Sequence, residues 1–144
     1  DAGTREMIKK NPTFPQELRW IIDRLKEGKA VDWHCALGCD RCGAVSFLIE
    51  GLLGMSEIDL CRDFELSSFK SGYNRPRSHL ASMLKFIKTY GPQDNLAKCF
   101  YKYWKSIGMT DEELQFFINF MIDSPNAIVF EGEDTVTETP AINE

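Results

Sequence analysis

Apolar residues recur at helical spacing along most of this chain. Leu18, Ile21, Ile22 and Leu25 follow Pro15 at intervals of three and four until Gly28 interrupts them, which predicts an amphipathic helix over residues 14–27. Ala30, Val31, Asp32, Trp33 and His34 then make a short β-favouring run, read as a strand. Residues 43–53 are almost wholly apolar, the composition of a helix buried on most sides. Ser56, with Glu57 and Asp59 behind it, caps a further helix that runs to residue 64. Residues 67–75 read as a loop, and three more helices are predicted over 76–90, 95–107 and 111–122, each closed by Gly or Pro. Beyond Pro125, Ala127-Ile128-Val129-Phe130 suggests at most one strand before Glu- and Thr-rich sequence begins. No internal repeat is evident.

With 144 residues and 43% hydrophobic content, the chain is long enough for one domain with a core. No run approaches the roughly 18 apolar residues of a membrane-spanning helix. No charged-then-apolar leader is visible, although a start at Asp1 rather than Met leaves room for a removed segment or an upstream region. Five cysteines, three of them within residues 35–42, do not resemble a secreted disulfide framework, so reduced thiols are expected. A cytoplasmic place fits that expectation, and secretion stays open. The net charge of −5 argues against a nucleic-acid partner. It is unevenly spread, because residues 1–105 hold all 17 basic residues and 13 of the 22 acidic ones. That portion is mildly positive and suits anionic ligands, while the remainder is its electrostatic opposite.

The chemistry concentrates in His34-Cys35-Ala36-Leu37-Gly38-Cys39-Asp40-Arg41-Cys42-Gly43, between the short run and the apolar helix. Five peptides separate Cys35 from Arg41, and their N–H groups can turn inward to make an anion nest at a helix N-terminus. The same field lowers the pKa of Cys35 towards the thiolate, the form that attacks phosphorus. Arg41 brings a planar fork matched to two phosphate oxygens.

These residues resemble the signature of the cysteine-based protein-tyrosine phosphatase superfamily, His-Cys, five residues, Arg, a small residue and Gly. Together with residues 44–66 and Ser67-Ser68-Phe69, over roughly residues 14–122, the chain is similar to the tyrosine-phosphatase-like family of bacteria and fungi whose loop reads HCxxGxDRTG. The resemblance implies an α/β fold in which Cys35 is the nucleophile. It implies that phosphate is held by Arg41 and the amides of Ala36, Leu37, Gly38, Cys39, Asp40 and Arg41, with His34, Cys42 and Gly43 organising the loop. It implies a phosphocysteine intermediate, no metal or cofactor, and a phosphorylated protein or small phosphomonoester as substrate, with tyrosine or dual specificity. Asp40, immediately before the loop Arg, is implied as the general acid; a carboxylate that braces the loop is the other reading of it. Asp1 lies at the distance at which other branches place their acid. Direct proton work by His34 also stays open.

Two positions depart from the family pattern. Cys42 stands where Thr or Ser is usual, and a thiol is a weak donor to the Cys35 sulfur, so slow turnover or a phosphate-binding pseudophosphatase is the alternative. Cys39 stands where lipid-active relatives often carry Lys, which weakens a phosphoinositide reading.

A doubly wound phosphatase sheet needs four or more strands, and one or two are predicted here. Residues 1–125 are therefore expected to be the C-terminal part of such a catalytic domain, mostly helical with an incomplete parallel sheet. Its missing strands would come from an upstream part or a second chain. Residues 126–144 are expected to be a mobile acidic tail.

Other chemistries fit these residues less well. Cys35, Cys39 and Cys42 also spell the C-x3-C-x2-C spacing of an iron–sulfur cradle, but the chain is short for the accompanying barrel and places Arg41 before the third Cys. A zinc site with His34 lacks the usual paired C-x2-C sets. Phe100, Tyr101, Tyr103 and Trp104, and the stripe Phe116, Phe117 and Phe120, have the spacing of core-facing residues. Arg75 and Arg77, beside His79, read as a solvated helix start rather than a second phosphate site. Cys39 or Cys42 is close enough in sequence to Cys35 to act as a resolving thiol.

Overall fold

The computed structural model describes residues 2–10, 13–69, 74–122, 129–131 and 135–137. The chain is predominantly helical: α1 (Ala2–Lys10), α2 (Phe14–Lys26), α3 (Arg41–Leu52), α4 (Glu57–Leu66), α5 (Arg77–Ile87), α6 (Leu96–Ser106) and α7 (Asp111–Met121). Short 3-10 turns at Ser67–Phe69 and Lys88–Tyr90 extend α4 and α5.

Three of these helices, α4, α6 and α7, start where the sequence supplies a side-chain cap. The Ser56 hydroxyl accepts the Asp59 N–H at 3.2 Å at the head of α4, and the Asn95 side chain accepts the Lys98 N–H at 2.9 Å on α6. Thr110 and Glu113 complete a reciprocal capping box on α7. The Glu113 carboxylate also accepts the Arg19 Nε–H at 2.6 Å, which ties α7 to α2 and holds the carboxyl down at about 2.

α3 is the centre of the core. Ala44, Phe47, Leu48, Ile49, Gly51 and Leu52 are all buried, as its nearly unbroken apolar composition requires. It packs against α1, α4 and α6. Trp104 of α6 donates its indole N–H to the Leu48 carbonyl at 3.1 Å, and Phe47 meets the Phe100 ring edge-on at 5.0 Å. At Gly51 the two helices approach so closely that a β-carbon would overlap the Phe100 ring. The predicted core role of Phe100, Tyr101, Tyr103 and Trp104 matches their burial. The α7 stripe divides: Phe117 is buried, Phe116 packs at the core margin and Phe120 is 51% exposed.

The expected parallel sheet needs correction. Residues 29–35 form no strand, and the strands among the described residues are a short antiparallel pair, β1 (Val129–Glu131) and β2 (Thr135–Thr137), with Phe130 opposite Val136. A β-favouring run becomes a strand only when a neighbour takes its backbone N–H and C=O groups. Residues 30–34 find none among the described residues and run as a connection in which all but Val31 are exposed. β1 overlaps the predicted Ala127–Phe130 run at Val129 and Phe130 and continues to Glu131. The rest of the expected tail, and residues 70–73 of the expected loop, lie outside the described residues.

α1 was not read from the sequence. Its apolar side chains are Met7 and Ile8, and it is held by long-range contacts: Ile8 is 1% exposed, and its carbonyl accepts the Tyr103 hydroxyl at 2.6 Å.

The α3–α6 approach gives the first testable expectation. Gly51→Ala forces the Phe100 ring aside in a filled core, and we expect a loss of about 1–3 kcal/mol in urea unfolding. An unchanged midpoint would mean that the two helices are not packed this closely.

Candidate active site

The loop that carries the candidate residues ends at α3, so its geometry is set by a helix the core cannot release. Residues 36–40 bend tightly and Arg41 opens the helix, the Ala44 N–H donating to the Asp40 carbonyl at 2.9 Å. The bend requires Gly38, whose φ of +74° lies in the left-handed region that side chains disfavour. That conformation directs the Gly38 N–H at the Cys35 sulfur, 3.2 Å away.

Cys35 is thereby ringed by donors. The Cys42 N–H has the largest effect, with the Leu37 and Gly38 N–H groups and the Cys42 thiol adding to it. Together they outweigh burial and hold the Cys35 thiol down at about 6. Cys42 responds in the opposite sense: burial, and then its bond to the Cys35 sulfur, push its own thiol up. The Cys42 thiol also lies 4.0 Å from the Trp33 carbonyl, a second acceptor beside the nucleophile.

Cys35 and Arg41 line one cavity of about 500 Å³ with His34, Cys42, Trp20 and Trp33. Glu17 and Asp32 also reach it. Trp20 and Trp33 are 55% and 38% exposed and present flat apolar faces beside the loop. His34 is exposed on the same wall.

The loop's other side chains point elsewhere. Cys39 is buried and its thiol donates to the Leu37 carbonyl at 3.3 Å, so the three loop thiols do not converge as an iron–sulfur cradle would need. Among the described residues no group of three or more His, Cys, Asp or Glu side chains is placed to hold a metal ion. Asp40 is not on the cavity wall; its carboxylate pairs with the guanidinium of Arg75, which is 5% exposed. This corrects the reading of Arg75 as part of a solvated helix start. Arg77 does fit that reading, donating its Nε–H to exposed Glu65 at 3.1 Å. His79 is half-buried, and burial lowers its pKa. Asp1 lies outside the described residues. Behind the loop, Glu50 shares a small cavity with Gly38, and burial, with Asp63 second, pushes its carboxyl up to about 7.

Sequence reasoning misplaced Arg75 and missed Trp20, Trp33 and Glu17 as walls of the cavity. Trp20 and Glu17, three apart on α2, had a local signal in their shared helical face. Arg75 had none, because 35 residues separate it from Asp40.

A loop that holds a cysteine towards the thiolate and sets an arginine on the same cavity, at the start of a buried helix, is the arrangement expected of a tyrosine-phosphatase-like protein. In agreement, the family model described as the tyrosine phosphatase family matches residues 2–117. The chain belongs to that family. The match reaches into α1, N-terminal to residue 14. The comparisons with curated proteins and with solved structures returned no match.

Gly38 offers a local test of the loop. Gly38→Ala has open space for its methyl but must adopt positive φ, at a cost of roughly 1–2 kcal/mol. We expect the residue-38 N–H to leave the sulfur and Cys35 to react several-fold more slowly with a disulfide reagent at neutral pH. An unchanged rate would show that this N–H does not help to hold the thiolate.

Proposed function

We propose that the chain hydrolyses phosphomonoesters, phosphotyrosine among them, through a phosphocysteine intermediate. The observation that carries this reading is the Cys35 sulfur, held towards the thiolate by loop N–H groups and sharing a cavity with Arg41. The Cys35 thiolate attacks phosphorus in line, the P–O bond to the leaving group breaks, and the ester oxygen departs with a proton. Water then attacks the phosphocysteine, releasing inorganic phosphate and restoring the thiolate. Arg41 and the loop N–H groups of residues 36–41 supply the charge stabilisation. The indole faces of Trp20 and Trp33 support an aryl phosphate as substrate. That residues 30–34 join no strand among the described residues supports completion of the domain by strands from an upstream part or a second chain.

Asp40 has two proposed roles, proton donor and loop brace, and its ion pair with Arg75 supports the second. The Cys42 thiol, a weaker donor to the departing sulfur than a hydroxyl, supports slow breakdown of the intermediate and keeps a phosphate-binding module as the other reading.

Hydrolysis of p-nitrophenyl phosphate, an alkyl phosphate and a phosphotyrosine peptide tests these readings together. Cys35→Ser is expected to lower turnover by a factor on the order of 10³ or more. Acid quench of the wild type is expected to trap one phosphate on Cys35. Phosphate bound without turnover would favour the binding module. If Asp40 donates the proton, Asp40→Asn costs far more on the alkyl ester, whose leaving group needs it; if Asp40 braces the loop, the loss is equal on both esters.

A further inference from the structure

Arg75 is buried, its guanidinium pairs with Asp40, and its backbone N–H is held by the Ser68 hydroxyl at 2.8 Å. A guanidinium withdrawn from water is costly unless a carboxylate faces it, and the carboxylate it faces belongs to the phosphate loop. The loop itself has little else to hold it. Ala36, Leu37 and Gly38 are exposed, and Cys39 is its one residue sunk in the core. Asp40 adds no side-chain cap to α3, so the helix does not explain where this carboxylate is placed. The pair crosses from the segment before α5 to the end of the loop, and peptide geometry carries its effect to the next two residues, Arg41 and Cys42.

We propose that Arg75 is a positioning residue of the phosphate loop: through the Asp40 carboxylate it fixes the loop register in which Arg41 and the Cys42 N–H face Cys35. It acts on the site from outside the cavity. The inference deepens the proposed function and rests on it for its consequence in turnover, but not for its effect on the sulfur.

The test is a double-mutant cycle read by the rate of Cys35 alkylation with iodoacetamide, at a pH below the thiol's midpoint, in the full chain. Arg75→Met and Asp40→Asn should each slow alkylation about tenfold, the effect of one unit of lost thiolate stabilisation. The double variant should be no slower than either single one, because both remove the same brace. Arg75→Lys, which keeps the charge, should recover most of the rate. Thermal melting runs alongside. Should Arg75→Met fail to fold, the half-exposed Asp40→Asn and the charge-keeping Arg75→Lys carry the test. Additive losses, or a wild-type rate in Asp40→Asn, would overturn the proposal. If the wild type shows no phosphatase turnover while the alkylation effects remain non-additive, the functional reading falls and the brace stands. Turnover with additive alkylation effects would give the reverse.

Discussion

Everything at the site depends on the Cys35 sulfur being met by backbone N–H groups, and those groups are where they are because α3 cannot move. The helix buries Ala44, Phe47, Leu48, Ile49, Gly51 and Leu52 and packs against α1, α4 and α6, so displacing its N-terminus would open the core at Ala44 and Leu48, both fully buried. The loop closes back from that fixed point. Gly38 supplies the one left-handed bend in it, and Cys42, already in the first turn of α3, points its N–H at the sulfur. Core packing is thus converted into a lowered thiol pKa.

The electrostatics divide the loop by direction. Towards the cavity lie Cys35, Arg41 and Cys42; away from it, Cys39 enters the core and Asp40 reaches Arg75. The ion pair with Arg75 turns the Asp40 carboxylate away from the cavity, whose acidic lining comes instead from Glu17 of α2 and Asp32 of the segment before the loop.

Much of this was legible in the sequence where the signal is local. The helices α2 to α7 follow from apolar spacing, from Ser56 at the head of α4 and from the Gly and Pro signals between them, and each boundary lies close to its predicted place. The loop was legible because a Cys, a Gly and an Arg at fixed intervals before an apolar helix form a local pattern. Contacts made across the chain were not. α1 has only Met7 and Ile8 to mark it and depends on a hydrogen bond from Tyr103. Residues 30–34 have strand-forming composition, but composition cannot supply the neighbour that a strand needs. Arg75 precedes a proline at the start of a helix, where a solvated arginine is ordinary; only the folded chain brings it to Asp40.

The central claim is that loop N–H groups hold Cys35 as a thiolate near neutral pH. It is tested most directly by the ultraviolet absorbance of the thiolate, titrated as the difference between the wild type and Cys35→Ser. The account predicts a single transition centred at about 6. A transition near the ordinary thiol value of about 8.5 would contradict it.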